Sequence, residues 1–179
     1  MLGTKVRLRE KKLTDARNDY RWQTNPELVR LDAMPLLTVS FPRYLLDYAA
    51  MLRNPSPKRR TLAIETLKRK HIGNCVYYNI DGEKREAELG IMIGERDYRD
   101  RGYGIDAVAT LVDYIFGETG LQRIHLKTLD WNERAQQCFL KCGFTPCGQM
   151  MENGHQFLLM EIKRERWQRE REQKKGAKP

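Results

Sequence analysis

The run from Glu88 to Phe144 constrains this chain more than any other. A short apolar segment, Leu89-Gly90-Ile91-Met92-Ile93, reads as a strand, and the turn Arg99-Asp100-Arg101-Gly102-Tyr103-Gly104 follows it. From about Gly104 to Phe116, apolar residues at Val108, Leu111, Val112 and Ile115 keep i, i+3, i+4, i+7 spacing, which predicts a helix with one face on a sheet. Glycines just ahead of a helix let backbone N–H groups approach an anion, and the helix dipole favours negative charge there. Arg99 and Arg101 put two permanent cations beside those amides. The local chemistry is that of a phosphate-binding turn.

Two turns of this kind fit the residues. Gly102-x-Gly104-x-x-Ala107 fits the looser dinucleotide fingerprint, with Asp130 as the acid ending the next strand. That acid comes late, and too few strand–helix units follow to complete a doubly wound sheet. Arg99-x-x-Gly102-x-Gly104 also resembles the acyl-CoA turn, (Gln/Arg)-x-x-Gly-x-(Gly/Ala), of the GNAT superfamily of N-acetyltransferases. Downstream, Asn132-x-x-Ala135-x-x-x-Phe139-x-x-x-Gly143-Phe144 resembles the Asn-x-x-Ala-x-x-x-Tyr-x-x-x-Gly-Phe element of the same family. Two motifs in the right order decide for the GNAT reading.

The rest of the chain agrees with it. Lys5–Arg9 alternates as a half-buried strand, and Thr14 stands as an N-cap before helical spacing through Ala16, Tyr20 and Trp22. Asn25-Pro26-Glu27 reads as a second helix start with Pro at N1, and Ser40 as the cap of a third helix through Tyr44, Leu45, Tyr48, Ala49 and Leu52. Thr61–Thr66 and Ile72–Tyr78 read as paired strands, and Asp81-Gly82 marks a hairpin turn into the Glu88 strand. Arg123–Thr128 alternates as a strand, the Asn132 helix follows, and a last hairpin turns at Glu152-Asn153-Gly154. The order β-ααα-βββ-α-β-α-ββ predicts an α/β (α+β) GNAT fold: a mixed, mostly antiparallel central sheet flanked by helices. The pattern is similar above all to the branch with ribosomal-protein-alanine and spermidine acetyltransferases, whose early helix Asp19-Tyr20-Arg21-Trp22 resembles. Residues 1–165 are expected to form one acetyltransferase domain, and 166–179 a basic, frayed tail.

The resemblance implies acetyl-CoA as acetyl donor and a primary amine as acceptor, either a protein N-terminus or a small molecule. It implies that Ile91, Met92 and Ile93 offer backbone groups to the pantetheine arm, beside a gap where this strand splays from the next. It further implies that Arg99, Asp100, Arg101, Gly102, Tyr103 and Gly104 hold the pyrophosphate. Asn132 is the expected helix N-cap and cofactor-side residue. The candidate base is Glu88, eleven residues before Arg99, the spacing of the general-base glutamate in histone-type GNAT enzymes. An alkyl ammonium with a pKa near ~10 must lose a proton before it can attack, and a carboxylate can take it. Strand parity puts Glu88, Gly90, Met92 and Gly94 on one face. Phe139 departs from the family, whose Tyr there protonates the leaving thiolate; a thiolate of pKa near ~8.5 leaves tolerably without an acid.

Composition narrows the setting. The chain has 179 residues and a formal net charge of +9, of which residues 161–179 contribute a net +4. That basic end motivates the alternative of a catalytically weak acyl-CoA-binding or ribosome-associating module, and a ribosomal protein as a substrate. The basic balance disfavours a polycationic acceptor, which needs a local acidic patch, for which Glu27 and Asp32 are the candidates. Cys75, Cys138, Cys142 and Cys147 form no CxxC pair, and His71, His125 and His155 lack ligand spacing, so no metal is expected. Serine occurs only at Ser40 and Ser56, in no nucleophile turn. No apolar run suits a signal peptide or a membrane span, which points to a cytoplasmic protein. The terminal hairpin of similar proteins implies a homodimer.

Overall fold

The computed structural model describes residues 1–176. Its elements run β1 (Val6–Glu10), α1 (Ala16–Gln23), α2 (Pro26–Leu31), α3 (Phe41–Arg53), β2 (Arg59–Thr66), β3 (His71–Asp81), β4 (Glu86–Ile93), α4 (Tyr103–Glu118), β5 (Arg123–Leu129), α5 (Glu133–Lys141), β6 (Thr145–Glu152), β7 (His155–Lys163) and α6 (Arg164–Gly176). The order expected from the sequence is present, with α6 added. The seven strands form one sheet in the order β1-β2-β3-β4-β5-β7-β6, and every neighbouring pair is antiparallel except β4–β5.

One sheet face carries the apolar core. Alternate residues Val6, Leu8, Leu62, Ile64, Cys75, Tyr77, Ala87, Leu89, Ile124 and Leu126 meet the buried stripe Ala107, Val108, Leu111, Val112, Ile115 and Phe116 of α4. The strands supply a period of two and the helix a period of 3.6, so each presents one apolar side to the other.

The opposite face, under α1 and α3, holds a buried polar cluster. The Asp19 carboxylate accepts bonds from the Tyr48 hydroxyl (2.9 Å) and the Asn74 amide (2.8 Å), and pairs with the Lys11 ammonium at 2.8 Å. The Lys11 side chain is 3% exposed. Beside it, Arg9 bridges Asp15 (2.7 Å) and Glu65 (2.5 Å). Buried charges persist only when paired and hydrogen-bonded, and these are.

Local chemistry sets most boundaries. Asn25 Oδ1 accepts from the amides of Glu27 and Leu28 ahead of Pro26, as expected of a cap. Asn153 and Gly154 both have positive φ (50° and 77°), the geometry that turns β6 tightly into β7. Thr14 does not cap α1. It lies inside a 3₁₀ turn, Leu13–Asp15, and Asp15 takes the N-terminal place, its carboxylate accepting from the Lys12 amide at 2.8 Å while bound to Arg9. Ser40 precedes α3 without a side-chain capping bond.

The chain beyond residue 165 is helical rather than frayed as far as Gly176; the last three residues of the expected tail lie outside the described ones. Two contacts explain this. Trp167 donates to Asp113 at 2.6 Å and packs its ring on Phe116. The Arg164 guanidinium donates to the carbonyls of Phe116, Thr119 and Leu121 at 2.5–2.8 Å, filling the acceptors that end α4 and its following turn. Among the described residues, no helix is long and apolar enough to cross a membrane, and no cluster of three or more His, Cys, Asp or Glu is arranged to hold a metal.

Candidate active site

Strands β4 and β5 pair only through Glu86, Ala87 and Glu88, opposite Arg123, Ile124 and His125. Beyond Glu88 they part. On its other side β4 stays paired to β3 as far as Ile93, so the backbone edge from Leu89 to Ile93 faces an open wedge. The wedge widens into a cleft of about 380 Å³, walled by Leu89–Ile93 on one side and Lys127–Leu129 on the other. The phosphate turn and the start of α4 close one end, α5 covers one wall with Ala135, Cys138 and Phe139, and Leu28, Leu31 and Asp32 of α2 stand at the mouth. A splayed parallel pair leaves peptide N–H and C=O groups that demand a partner, which makes it a natural seat for an extended amide-bearing ligand.

At the turn, Gly102 has φ +80° and serves as the N-cap of α4. A Cβ there would strain the backbone whatever the available space. Gly104 differs: a Cβ would sit 3.6 Å from Cys138 Sγ, an ordinary contact. Asp100 is also left-handed (φ 58°) and lies 3.6 Å from Arg134.

Of the residues singled out in the sequence, Ile91, Met92, Ile93, Arg99, Asp100, Gly102, Gly104 and Asn132 line the cleft. The Arg99 side chain does not offer a free cation to it. Its guanidinium donates to the carbonyls of Ile93 and Gly94 (both 3.1 Å) and pairs with Glu27 at 2.8 Å, with 8% of the side chain exposed. The carbonyls at the end of β4 need donors there, and a planar five-donor fork supplies them. Arg101 is exposed outside the cleft wall, and its carbonyl accepts from Lys5 Nζ at 2.8 Å. Tyr103 also stands outside it, edge-on to Tyr98.

Asn132 accepts from the Ala135 amide (3.3 Å) and reaches the Leu31 carbonyl (3.4 Å), so the cap of α5 also ties α5 to α2. Phe139 is buried against Phe144, ring centroids 5.8 Å apart, and carries no proton to give. Cys138 and Cys142 are half-buried and pack against the core; Cys75 is fully buried, and burial pushes its thiol up to about 12.

Glu88 stands at the fork itself. Its Oε1 accepts from the Tyr78 hydroxyl (2.6 Å) and its Oε2 from the Asn79 amide (3.1 Å). Asn79 reaches it from an irregularity in β3, where the residue takes φ +51° and the register to β4 shifts. Burial, then the bond to Glu88, pushes the Tyr78 hydroxyl above its ordinary pKa, so it stays a donor. His125, opposite Glu88, is pushed down by burial and next by Arg123, which favours the neutral ring.

The second wall carries no local signal in the sequence. Lys127, Thr128 and Leu129 look like any alternating strand; only the loss of pairing after Glu88 brings them to the site. The mouth residue Leu28 and the hairpin residue Phe157 also carried no local signal.

Comparisons with known proteins agree with this geometry. The sequence matches the acetyltransferase (GNAT) domain family over residues 5–145. An uncharacterised N-acetyltransferase p20 from Bacillus licheniformis is 29% identical over 124 residues, 69% of each chain. Spermidine N-acetyltransferase from Vibrio cholerae, solved with CoA and spermine, superposes with a TM-score of 0.82 at 20% identity, covering 92% of this chain and 99% of that one. An aminoglycoside acetyltransferase in complex with coenzyme A superposes with a TM-score of 0.76 at 17% identity, covering 93% and 99%. With the family matched across most of the chain, and a strand–turn–helix and splayed pair where the fold requires them, this protein belongs to the GNAT acetyltransferase family.

Proposed function

We propose that the protein transfers the acetyl group of acetyl-CoA to a primary amine by direct attack, with Glu88 as base. The observation that carries this reading is the wedge: β4 loses its partner after Glu88, and the wedge leads to a glycine turn at a helix N-terminus. The residues fit the donor. Turn amides around Gly102 and Gly104 suit the pyrophosphate, the open edge of Ile91, Met92 and Ile93 suits the pantetheine amides, and a cleft of about 380 Å³ is of ligand size. When bound, acetyl-CoA supplies the thioester that the amine attacks.

Glu88 has the donors that a positioned base needs. Tyr78 and Asn79 fix its two oxygens at the fork, and the carboxylate takes a proton from the acceptor directly or through one water. The family's acidic Tyr is replaced by Phe139, so the thiolate leaves unassisted by that position. Both small-molecule amines and protein N-termini satisfy this chemistry, and the acceptor enters past α2. A ribosomal partner and a homodimer through the β6–β7 hairpin remain proposals at the same level.

The test is thermal stabilisation by acetyl-CoA, CoA and NADH, in wild type and in Gly102→Glu. A ligand at 100 times its Kd adds about 2.7 kcal/mol, a shift of a few degrees in Tm. The shift is expected with acetyl-CoA and CoA, and its loss in Gly102→Glu, where strain and a negative charge meet at the turn. No shift with either CoA species, or one with NADH alone, overturns the reading. For the base, Glu88→Gln is expected to lower kcat most near neutral pH, and unchanged kinetics from pH 6 to 9 remove Glu88 from that role.

A further inference from the structure

We propose that Asp32 is the carboxylate that receives the acceptor's ammonium group, and that it sets a preference for cationic amines over neutral ones. The proposal rests on the acetyltransferase reading and assigns the entrance of that site.

Asp32 and Asp100 line the cleft and Glu27 and Glu88 lie beside it, and all but Asp32 are engaged, Asp100 with Arg134 at 3.6 Å. Glu27 is paired with Arg99 at 2.8 Å, and both oxygens of Glu88 accept bonds from β3. Asp32 lines the cleft, and among the described residues its carboxylate has no hydrogen-bond or ion-pair partner. Its charge nonetheless reaches Tyr78, whose hydroxyl it helps to hold protonated, and Tyr78 is bonded to Glu88. The entrance carboxylate and the base therefore share one neighbour.

Its place on the helix points the same way. Asp32 is the C-cap of α2, where backbone carbonyls already concentrate negative charge. An anion there is disfavoured until a cation arrives. The surrounding charged groups do not supply that cation. Lys127 of β5 is held by Glu152, Arg134 of α5 faces Asp100, and Arg30 of α2 stacks on Trp131. The Tyr78 hydroxyl of β3 donates its hydrogen bond to Glu88, and His125 of β5 favours the neutral ring. Asp32 is exposed to water through the mouth, while protein crowds its other sides and raises its carboxyl to about 6. An incoming ammonium restores the anion, and Glu88 can then take one of the ammonium's protons while Asp32 holds another by a hydrogen bond.

The experiment compares wild type with Asp32→Asn and Asp32→Ala, using acetyl-CoA with spermine, n-hexylamine and aniline as acceptors. A hydrogen bond to a charged partner corresponds to about a 10- to 100-fold change. Asp32→Asn and Asp32→Ala are expected to raise the KM for spermine and hexylamine by about that factor, with kcat within threefold and aniline unaffected. In wild type, kcat/KM for hexylamine is expected to fall as pH drops through about 6, and in Asp32→Asn that limb moves to lower pH. The acetyl-CoA melting shift is expected to be the same in all three proteins. A KM within twofold of wild type together with an unmoved acid limb overturns the proposal. So does failure of every amine to be acetylated by a wild type that acetyl-CoA stabilises. If acetyl-CoA does not stabilise the wild type at all, the acetyltransferase reading fails first and takes the Asp32 assignment with it.

Discussion

The two sides of the cleft are built differently. The side proposed for the donor, β4 with its turn and α4, stands on the apolar core and on backbone geometry: a positive φ at Gly102, an unpaired strand edge and a helix start. The side proposed for the acceptor, α2 with α1 and α3 behind it, is fastened by side chains that meet across long stretches of chain. Lys11 and Asp19 reach Asn74, Arg9 reaches Glu65, Trp22 and Arg21 reach Glu95, and Glu27 reaches Arg99. Backbone geometry holds one fixed shape for one kind of ligand. Side-chain fastenings can be exchanged piece by piece, so the acceptor side is where a shared fold can vary its substrate.

The largest expected effect of breaking this pattern lies in the buried cluster. Asp19→Ala leaves the Lys11 ammonium, the Tyr48 hydroxyl and the Asn74 amide without their common acceptor. Removing one partner of a buried pair costs about 3–5 kcal/mol. Urea denaturation should show that loss. If the two sides are fastened as described, hydrogen exchange should rise in α1 and α3 more than in α4. Equal loss of protection in α4 would mean that the sides are one cooperative unit.

Gly94 tests the seam between the sides. A Cβ there would lie 2.2 Å from the Trp22 ring, and Trp22 is 2% exposed with its indole N–H on Glu95. Gly94→Ala must therefore push α1 away from the end of β4, at about 1–3 kcal/mol for overpacking. The displacement ends next to the phosphate turn, so CoA affinity should fall along with Tm. A stability loss with unchanged CoA affinity would show that the turn does not depend on α1.

The same contrast explains what the sequence disclosed. The turn, the stripe Val108, Leu111, Val112 and Ile115, and the caps Asn25 and Asn132 are local features, so spacing alone revealed them. Arg99 was recognisable as part of a motif, but its guanidinium turns back onto the Ile93 and Gly94 carbonyls and reaches Glu27, 72 residues away. The bond from Asn79 to Glu88 depends on a register shift that no periodicity announces. Thr14 and Asp15 are both good caps by residue type, yet neither side chain caps α1, because the Asp15 carboxylate is held by Arg9 and the Lys12 amide. Lys127 to Leu129 enter the cleft only because β4 and β5 diverge. Side-chain direction and strand splay are tertiary facts, and the sequence reading ended where they begin.

Acid should loosen the acceptor side first. Burial raises the Asp15 carboxyl, but bonds from Arg9 and the Lys12 amide outweigh it and leave a value of about 2. With a folded value below the unfolded one near ~3.9, its contribution is present above pH ~4 and fades as pH falls toward ~2, a loss of roughly 2 kcal/mol. His71 acts earlier. Burial, then Lys11, pushes the ring below its ordinary 6.5 and keeps it neutral, with Nε2 3.0 Å from the Gly73 carbonyl. The unfolded chain takes that proton below pH ~6.5 and the folded one does not, so stability falls with pH from that point. Denaturation from pH 8 to 5 should show the decline, and an imidazole still neutral at pH 6 by NMR should accompany it. A flat profile across that window removes His71 from the account.

The smallest effect is expected at the ion pair that joins the turn to α2. Glu27 is 59% exposed on its side-chain surface, so its pair with Arg99 is worth about 1 kcal/mol or less. Glu27→Gln should leave Tm almost unchanged, because Arg99 keeps its bonds to the Ile93 and Gly94 carbonyls. Glu27 and Asp32 lie at opposite ends of the short helix α2, however. Loosening one end shifts the carboxylate at the other, so the acceptor KM should rise two- to threefold while CoA affinity holds. Adding salt should raise the acceptor KM more in the wild type than in Glu27→Gln, since the variant leaves only the attraction between Asp32 and the ammonium to be screened. Equal salt sensitivity in both proteins would mean that α2 is positioned by Leu28 and Asn25 alone, and that donor and acceptor sides meet only through the backbone.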